Sequence, residues 1–498
     1  MRRGLSILGE AHKLRSVAND ATNYNLLMKD NSRQKITRRK FVQGASLSAA
    51  GFMIVPRHVL GGAEYVAPSD QVTVGIVGAG GKGRKNTEAL LGLNDVRVVA
   101  VADPSYYWNL QPFYYKSEAG RGLVSHMVED HYRQQRPDAT ATVAEYLDFR
   151  EMMEKESSLD AIMCSTPDHT HAYVSLLAMR AGKHVYCEKP LTHNIWEARE
   201  VQRVARETGL ATQMGNAGHS ADGMRQTVEY LRAGAIGKVQ EVHAWVPATR
   251  WNPGLAGLPE GTSPKPPGFD WDMWIGPREP VPYHEAYTPV KWRDFWWFGC
   301  GALGDFGCHD MDAATWAFHL KAPTSVELHP AGYSDENIIP YGEIGYYEFD
   351  EQGEQSQLKL TWYSGGVQPE RPEQLPAGTD LPSRGTLFVG DKGIIVNDGG
   401  ERVPQMYPKS TSFKAPEPSI PRSNGHFRDW VDAIKGGPAA SANFEYGARL
   451  TEITLLGVLS LRLGGKKLEW DYENMKVKGM PEADEFIREP VREGWELT

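Results

Sequence analysis

Asp305, His309 and Asp312 have the residue types and the spacing that acid–base chemistry needs. His309 follows Asp305 by four residues and precedes Asp312 by three, so on one helix the three side chains share a face. A histidine beside a carboxylate can accept and deliver a proton near neutral pH. The structural alternative is that Asp305 caps the helix and that Asp310 and Asp312 form a solvated acidic turn.

Lys189 offers a positive charge to the same chemistry. It follows a short apolar strand at residues 184–187, and Pro190 comes directly after it. Removing a hydride from a secondary alcohol needs an acceptor ring, a base for the hydroxyl proton and a cation for the charge that develops on oxygen. A nicotinamide ring, His309 and Lys189 would supply these in turn, with Asp305 orienting the imidazole or binding a neighbouring hydroxyl. We therefore predict Lys189, His309 and Asp305 as catalytic residues.

A glycine-rich turn that begins at Gly78 suits the cofactor that carries such a ring. A β-branched run at residues 72–77 enters the turn, and a segment with helical periodicity leaves it. Gly78 allows the tight turn, Gly80 lets main-chain amides approach a pyrophosphate, and Gly83 lets the helix pack on the strand. Gly81 continues the same cradle at the positive end of the helix. An ordinary strand–helix turn also favours glycine, but the flanking strand and helix indicate a dinucleotide site.

Asp103 is the acid that this fingerprint requires. An apolar run covers residues 96–101, and Asp103 follows it, about twenty residues beyond the glycines. In the dinucleotide fingerprint, a carboxylate at this position binds the adenosine ribose. Its charge would bind both ribose hydroxyls and repel a 2′-phosphate. Pro104 and Ser105 offer no arginine to reverse that preference, so we expect NAD rather than NADP.

Helices and strands continue to alternate along the chain, which predicts a parallel α/β sheet of the Rossmann type. Ligands bind at the carboxyl ends of such strands. Thr166, Pro167 and His169 follow the strand at residues 160–164, so we expect them on the same rim as the glycine turn. His169 and His171 lack a carboxylate partner at metal-binding spacing, and no metal site is predicted.

Strand-like runs dominate the second half of the chain. One prominent helix, residues 307–320, interrupts them, which is typical of an α+β domain with a large, mostly antiparallel sheet covered on one face. The expected division is an N-terminal extension at 1–66, a Rossmann domain at 67–192 and a substrate-binding domain at 193–498. The runs cover residues 239–246, 324–329, 344–349, 357–363, 385–389 and 394–396.

Several motifs together resemble the glucose-fructose oxidoreductase/inositol dehydrogenase/MocA (Gfo/Idh/MocA) family. The Glu-Lys-Pro motif at 188–190 follows a glycine-rich turn, as it does in that family. Residues 161–171 resemble the family's loop beneath the nicotinamide, 213–216 the strand that opens its second domain, and 304–312 its catalytic helix. The similarity runs from about residue 72 to residue 471, and the part between 249 and 298 is the most divergent.

The resemblance implies the catalytic roles already given to the lysine, the aspartate and the histidine. It also implies that Glu188 positions the lysine and that Asn216 contacts the nicotinamide ribose. A cis peptide between Lys189 and Pro190 is a further expectation. The family uses its second sheet for assembly, so we expect a homo-oligomer.

Aromatic and arginine side chains crowd the segment before the catalytic helix. Aromatic faces cover the apolar side of a sugar ring, while arginine and tyrosine bind hydroxyls, so the segment predicts a carbohydrate substrate. Most of its tryptophans suit the core equally well, and we expect one or two to touch the ligand. The candidate substrate residues are Arg250, Trp251, Tyr283, Trp292 and Arg293, with Asp305 and His309.

The composition of the chain limits the classes of partner that it is expected to bind. A net charge of −9 and a pI near 6.0 argue against nucleic acid or an anionic membrane as a partner. The four cysteines form no CxxC pair, so no disulfide framework is predicted.

The N-terminal segment indicates export. Residues 37–42 read TRRKFV, and an uncharged run of small and apolar residues follows at 44–56. This order is typical of a twin-arginine signal, which predicts a periplasmic protein, and the apolar run is too short for a stable membrane span. The alternative is an ordinary basic amphipathic helix.

Three functions compete on these observations. The first is an NAD-dependent oxidoreductase acting on a secondary hydroxyl of a sugar, polyol or glycoside. The second resembles the family's exported NAD-dependent glycosidases, which oxidise a sugar transiently and then eliminate the glycosidic oxygen. The intact Glu-Lys-Pro motif favours the first, because those glycosidases depart from it. The third, a sugar-binding protein that holds NAD without catalysis, conflicts with the complete catalytic set.

Overall fold

A computed structural model of the chain describes residues 66–135, 142–351, 357–409 and 413–497. The predicted signal at residues 37–56 lies outside these ranges. Within them, every helix is too short or too polar to cross a membrane.

The N-terminal domain is built on a six-stranded sheet in which every neighbouring pair is parallel, in the order β5-β2-β1-β6-β7-β8. Its central strands are almost entirely buried, because helices cover both faces of a parallel sheet. The predicted Rossmann architecture is confirmed. The strands of this part of the chain are β1 (Val72–Val77), β2 (Val96–Ala102), β3 (Trp108–Asn109), β4 (Glu118–Ala119), β5 (Ala144–Tyr146), β6 (Ala161–Cys164), β7 (His184–Cys187) and β8 (Thr212–Met214). The helices are α1 (Gly81–Leu91), α2 (Arg121–Gln135), α3 (Phe149–Lys155), α4 (Asp168–Arg180) and α5 (Ile195–Thr208).

The C-terminal domain carries a nine-stranded sheet in the order β15-β14-β13-β9-β12-β11-β10-β16-β17. Strands β9 and β12 pair in parallel and the other pairs are antiparallel, so the predicted, mostly antiparallel sheet is confirmed. Its strands are β9 (Val239–Trp245), β10 (Ser325–Ala331), β11 (Gly342–Phe349), β12 (Leu358–Tyr363), β13 (Gly385–Gly390), β14 (Ile394–Asp398), β15 (Gln405–Tyr407), β16 (Leu468–Asp471) and β17 (Lys476–Val477). The helices are α6 (Asp222–Arg232), α7 (Trp271–Ile275), α8 (Gly301–Asp310), α9 (Asp312–Ala317), α10 (His426–Ile434), α11 (Phe444–Arg462) and α12 (Asp484–Ile487).

Helix α11 fixes the position of α8 against the second sheet. A Cβ at Gly457 of α11 would lie 2.1 Å from the Tyr347 hydroxyl of β11 and 2.6 Å from Leu303 of α8. Only glycine allows so close an approach on both sides. The helix that carries Asp305 and His309 is therefore held by the domain core.

The single helix predicted over residues 307–320 is two helices. The chain turns at Met311, with φ −91° and ψ −5°, between α8 and α9. Asp312 consequently starts a new helix, and its carboxylate accepts hydrogen bonds from Asn216 and His219 at 3.0 Å each. The prediction that Asp312 shares a face with Asp305 and His309 is therefore wrong.

Candidate active site

The glycine turn has the geometry that a bound pyrophosphate requires. Gly78 has φ +86°, and a Cβ there would lie 2.7 Å from the main chain of Ser165. A Cβ at Gly83 would lie 1.8 Å from the Gly78 oxygen, so α1 packs directly on the turn. A Cβ at Gly80 would meet nothing within 4 Å. Gly80, just before α1, thus faces open space, where phosphate oxygens could reach main-chain amides.

Asp103 stands at the end of β2, beside this turn. Its carboxylate accepts hydrogen bonds from the main-chain N–H groups of Ala79 at 2.6 Å and Ser105 at 2.7 Å. Burial raises the pKa of Asp103 to about 6, although both hydrogen bonds act in the opposite direction. Each oxygen keeps acceptor capacity for a further donor, such as a ribose hydroxyl.

A cleft of about 1170 Å³, partly open to solvent, runs from the glycine turn to α8. It brings together residues that lie far apart in the sequence, as the Rossmann interpretation requires. Its cofactor end is lined by Gly78, Gly80, Gly81, Asp103, Thr166, Pro167 and Glu188. Its other end is lined by Lys189, Trp274, Trp292, Arg293 and Asp305.

Lys189 and Asp305 form the charged contact at the far end of this cleft. The predicted cis peptide between Lys189 and Pro190 is present. Lys189 Nζ donates to the main-chain oxygen of Asp305 at 2.7 Å and also to its carboxylate. Burial would lower the lysine pKa, but the carboxylates of Asp305 and Glu188 outweigh it, and the pKa is raised. The lysine is therefore a cation at neutral pH.

Arg293 is the second cation on Asp305. Its Nε lies 3.4 Å from Asp305 Oδ2, and its guanidinium stacks over the Trp292 ring at 4.1 Å. Burial alone would raise the pKa of Asp305, but Lys189 and Arg293 together hold it below its ordinary value. The ionised Asp305 carboxylate thus contacts two cations, Lys189 and Arg293.

His309 lies one helical turn beyond Asp305. Burial, and then the positive charges of Lys189, Arg384 and Arg402, hold its pKa well below the ordinary value, so the imidazole is neutral. Within the described ranges its ring makes no hydrogen bond, and Asp305 does not orient it. The main chain is fixed instead, because Arg402 donates to the His309 oxygen at 2.8 Å.

Glu188 links Lys189 to helix α1, which follows the glycine turn. Its carboxylate accepts a hydrogen bond from Asn86 at 2.8 Å and lies 3.4 Å from Lys82 Nζ, and both residues belong to α1. It also raises the pKa of Lys189. Glu188 therefore connects the cofactor end of the cleft with the catalytic end.

The structure does not bring His169 and Asn216 into the cleft. The His169 ring is buried, with Nε2 3.0 Å from the Trp274 oxygen and Nδ1 3.3 Å from the Phe298 oxygen. Asn216 is buried as well and donates to Asp312 at 3.0 Å. Both side chains join neighbouring segments of the core.

Arg250 and Tyr283 are also placed away from the cleft. Arg250 is buried and donates to main-chain oxygens of Tyr333 at 2.9 Å and Ile339 at 3.2 Å. The Tyr283 ring packs on Trp271 with ring centroids 5.2 Å apart. Of the predicted substrate residues, Trp292, Arg293 and Asp305 line the cleft, whereas Trp251 and His309 are not among its lining residues.

Cys164, His171 and Cys187 are buried with potential metal-ligand atoms within 4.8 Å of one another. However, His171 Nδ1 lies 2.7 Å from the Pro190 oxygen and Nε2 lies 2.9 Å from the Thr166 oxygen. Both ring nitrogens are therefore engaged by carbonyl groups, and the geometry gives no reason to place a metal ion here.

Comparison with known proteins assigns the family. The oxidoreductase family with an NAD-binding Rossmann fold matches residues 72–216, and the C-terminal alpha/beta domain of the same family matches residues 244–354. The two matches together cover about half of the chain. The chain belongs to the Gfo/Idh/MocA oxidoreductase family. The predicted resemblance and the dinucleotide-binding fold are thereby confirmed.

The similarity of this chain to individual curated proteins is low. An alpha-N-acetylgalactosaminidase of Shewanella oneidensis is 24% identical over 233 residues, which are 43% of this chain and 47% of that protein. A glycosyl hydrolase family 109 protein of Shewanella putrefaciens has the same identity and coverage. The chain spans about half the length of the curated relatives it matches.

Solved structures share the Gfo/Idh/MocA fold. The WlbA dehydrogenase of Bordetella pertussis, in complex with NADH and UDP-GlcNAcA, aligns with a TM-score of 0.53 at 13% identity over 80% of this chain and 99% of that one. GenD2 from gentamicin A biosynthesis, in complex with NAD, gives 0.52 at 18% identity over 84% and 99%. The aldose-aldose oxidoreductase of Caulobacter crescentus, complexed with glycerol, gives 0.52 at 14% identity over 80% and 100%.

Asp168 is a residue of this Gfo/Idh/MocA cleft that the sequence analysis missed. It lines the cleft at the start of α4 and accepts a hydrogen bond from the Cys300 N–H at 3.1 Å. Burial raises its pKa to about 7, against the opposing charge of Arg293. The only signal in the sequence was its place between Pro167 and His169. A carboxyl group that titrates near neutral pH in a cleft is a candidate for proton exchange.

Tyr114 and Tyr115 were missed as well. They lie in the connection between β2 and α2, which crosses to the C-terminal domain where Ser105 bridges Phe269. Both tyrosines line the cleft, and a Cβ at Gly81 would lie 2.5 Å from the Tyr115 ring. The paired tyrosines carry no recognisable motif, so the sequence alone could not have identified them.

Proposed function

We propose that this chain is an NAD-dependent oxidoreductase that removes hydride from the carbon of a secondary hydroxyl on a sugar, polyol or glycoside. The contact between Lys189 Nζ and the main-chain oxygen of Asp305, 2.7 Å long, carries the proposal. It places a permanent cation at the end of a cleft that begins at a dinucleotide-type glycine turn. Alcohol oxidation needs a cation in that position, because charge develops on the hydroxyl oxygen.

The residues of the cleft have separate roles in the proposed reaction. Gly80 and its neighbours would hold the pyrophosphate of NAD, and Asp103 would bind the adenosine ribose, which favours NAD over NADP. When bound, NAD supplies the hydride acceptor. Lys189 stabilises the substrate oxygen, Asp305 holds the lysine, and neutral His309 takes the hydroxyl proton as the carbon loses hydride and becomes a carbonyl.

A second candidate is an NAD-dependent glycosidase. In that chemistry, transient oxidation of a sugar acidifies a neighbouring C–H group, which loses its proton as the glycosidic oxygen leaves as an alcohol; water then adds to the resulting double bond, and the hydride returns to the carbonyl carbon. The names of the distant relatives, glycosyl hydrolase family 109 and alpha-N-acetylgalactosaminidase, favour it. The intact motif at Glu188, Lys189 and Pro190 supports the oxidoreductase instead.

One experiment separates these functions. Purified protein is incubated with NAD and a panel of mono- and disaccharides, while NADH absorbance and released sugar are followed together. NADH without cleavage supports the oxidoreductase, and cleavage without net NADH supports the glycosidase. If a sugar binds with neither result, the chain is a binding protein and both enzymatic proposals fail.

We further propose that the protein is exported by the twin-arginine route to the periplasm and forms a homo-oligomer through the nine-stranded sheet. The TRRKFV run at residues 37–42 supports export. Tyr346 on β11 is 47% exposed and presents an aromatic ring on the solvent side of the sheet, where a second copy could pack against it. Fractionation of cells and light scattering of the purified protein test the two statements.

A further inference from the structure

Trp251 is more exposed than the tryptophans that follow it before the catalytic helix. The residue is 37% exposed, whereas Trp271 and Trp274 are 7% exposed, Trp292 is 8%, Trp296 is 2% and Trp297 is half-buried. A large apolar surface left in water gives up the free energy that burial would provide. Trp274 and Trp292 line the cleft itself, whereas Trp251 is an exposed tryptophan that lies outside the lining of the cleft.

Hydrogen bonds fix Trp251 relative to the catalytic end of the cleft. The main-chain N–H groups of Trp251 and Asn252 each donate to the Asp294 carboxylate at 2.8 Å. Asp294 is buried and directly follows Arg293, whose guanidinium faces Asp305. The main chain at Trp251 is therefore tied to the segment that carries Arg293, while the indole lies at the surface.

A continuous series of rings connects Trp251 with the cleft. Tyr114 stacks on Trp251 with centroids 5.6 Å apart and an interplanar angle of 22°, and Phe113 meets the edge of the same indole at 6.2 Å. Tyr114 also packs on Tyr115 at 4.1 Å, and both tyrosines line the cleft. Tyr114 is 54% exposed. The rings therefore lead from the cleft outward to the protein surface.

We propose that Trp251 and Tyr114 form an outer carbohydrate subsite, which binds a second sugar ring attached to the ring that reacts. The proposal rests on the carbohydrate-oxidising function proposed above and extends it to a substrate class. Exposed, preorganised aromatic rings cover the apolar face of a sugar while its hydroxyls stay in water. Because the series of rings is continuous with the cleft, the substrate is a glycoside or oligosaccharide and not a free monosaccharide.

The test compares matched sugars on matched variants. NADH formation is measured with glucose, galactose and N-acetylgalactosamine, and with a methyl glycoside and a disaccharide of each. Wild type should give a higher kcat/KM for the disaccharides. Trp251→Ala and Tyr114→Ala should each reduce the disaccharide-to-monosaccharide ratio about three- to tenfold, and Trp251→Phe should restore part of it. Leu177→Ala, which removes an apolar side chain of α4 from a residue that is also 37% exposed, should leave the ratio unchanged.

Each other outcome has a defined meaning. If disaccharides and monosaccharides react equally in wild type, or if the ratio survives in both alanine variants, the subsite is refuted while the oxidoreductase proposal stands. If light scattering shows that wild type self-associates and that Trp251→Ala abolishes this, the patch is a contact between copies and the subsite is also refuted. NADH from none of the sugars would overturn the oxidoreductase function and the subsite with it.

Discussion

Lys189 donates to both the main-chain oxygen and the carboxylate of Asp305, so a residue at the end of the Rossmann strand β7 is fixed to the helix α8 of the other domain. The contact joins the end of the cofactor cleft to the helix that carries His309. Asp305 raises the pKa of Lys189, and Lys189 lowers the pKa of Asp305. The contact therefore keeps the lysine protonated and the aspartate ionised.

Lys189→Met should therefore reduce turnover by roughly 10²–10⁴-fold, the range expected when an oxyanion or acid–base group is lost. NAD binding should persist, because the glycine turn and Asp103 are untouched. Single-turnover hydride transfer on protein shown by calorimetry to be folded and loaded with NAD measures the effect. A rate near that of wild type would reduce Lys189 to a turn residue.

His309→Asn should cause a loss of similar size, roughly 10²–10⁴-fold at neutral pH. The neutral imidazole is the proposed proton acceptor, so raising the pH should restore part of the activity as hydroxide replaces it. The rate of hydride transfer is measured from neutral pH to pH 10 with wild type as the control. Equal pH profiles for variant and wild type would contradict the assignment.

Asp168 should make the protein less stable as the pH rises from about 4 to about 7. Its pKa is raised to about 7 in the folded protein from 3.8, so in this window the native state binds more protons than the unfolded state. Stability falls with pH under that condition. Asp168→Asn mimics the protonated group, so the variant should lose less of its Tm than wild type between pH 5 and pH 8. Parallel Tm curves would show that the group does not titrate in this range.

Asp103→Asn should weaken NAD binding more than NADP binding. The change removes the negative charge, and with it hydrogen bonds to the ribose of about 1.5–3 kcal/mol each and the repulsion of a 2′-phosphate. Calorimetric titration with both cofactors gives the ratio of their affinities. Asparagine is preferred to alanine here, because it keeps the size of the side chain and one acceptor oxygen for the N–H group of either Ala79 or Ser105. Equal losses for the two cofactors would refute the ribose assignment.

Changing Arg38 and Arg39 together to lysine should keep the folded protein in the cytoplasm, because twin-arginine export requires the paired arginines. Immunoblots of the periplasmic and cytoplasmic fractions measure the distribution. A second variant, Lys40→Arg, keeps the pair and serves as the control. An unchanged periplasmic yield in the double variant would end the proposal of this export route.

The local motifs could be predicted because they depend on neighbours in the sequence. The turn after β1 needs glycine at position 78 because φ is positive there, and at position 83 because α1 packs directly on the turn. The spacing of the glycines in the sequence predicts both. Lys189 and Asp103 could be placed in the same way, because each comes just after the end of a predicted strand. The alternation of helix and strand predicted the parallel sheet for the same reason.

Tertiary packing alone decided which side chains reach the cleft. The sequence does not distinguish Arg250 from Arg293. In the structure, Arg250 donates to the main-chain oxygens of residues 333 and 339, whereas Arg293 forms an ion pair with Asp305. Trp251 stays at the surface while Trp271 is buried, and Asp168 acquires a pKa near 7 only because other segments close over it. A side chain's burial, and the charges beside it, come from segments far away in the chain, so no local pattern specifies them.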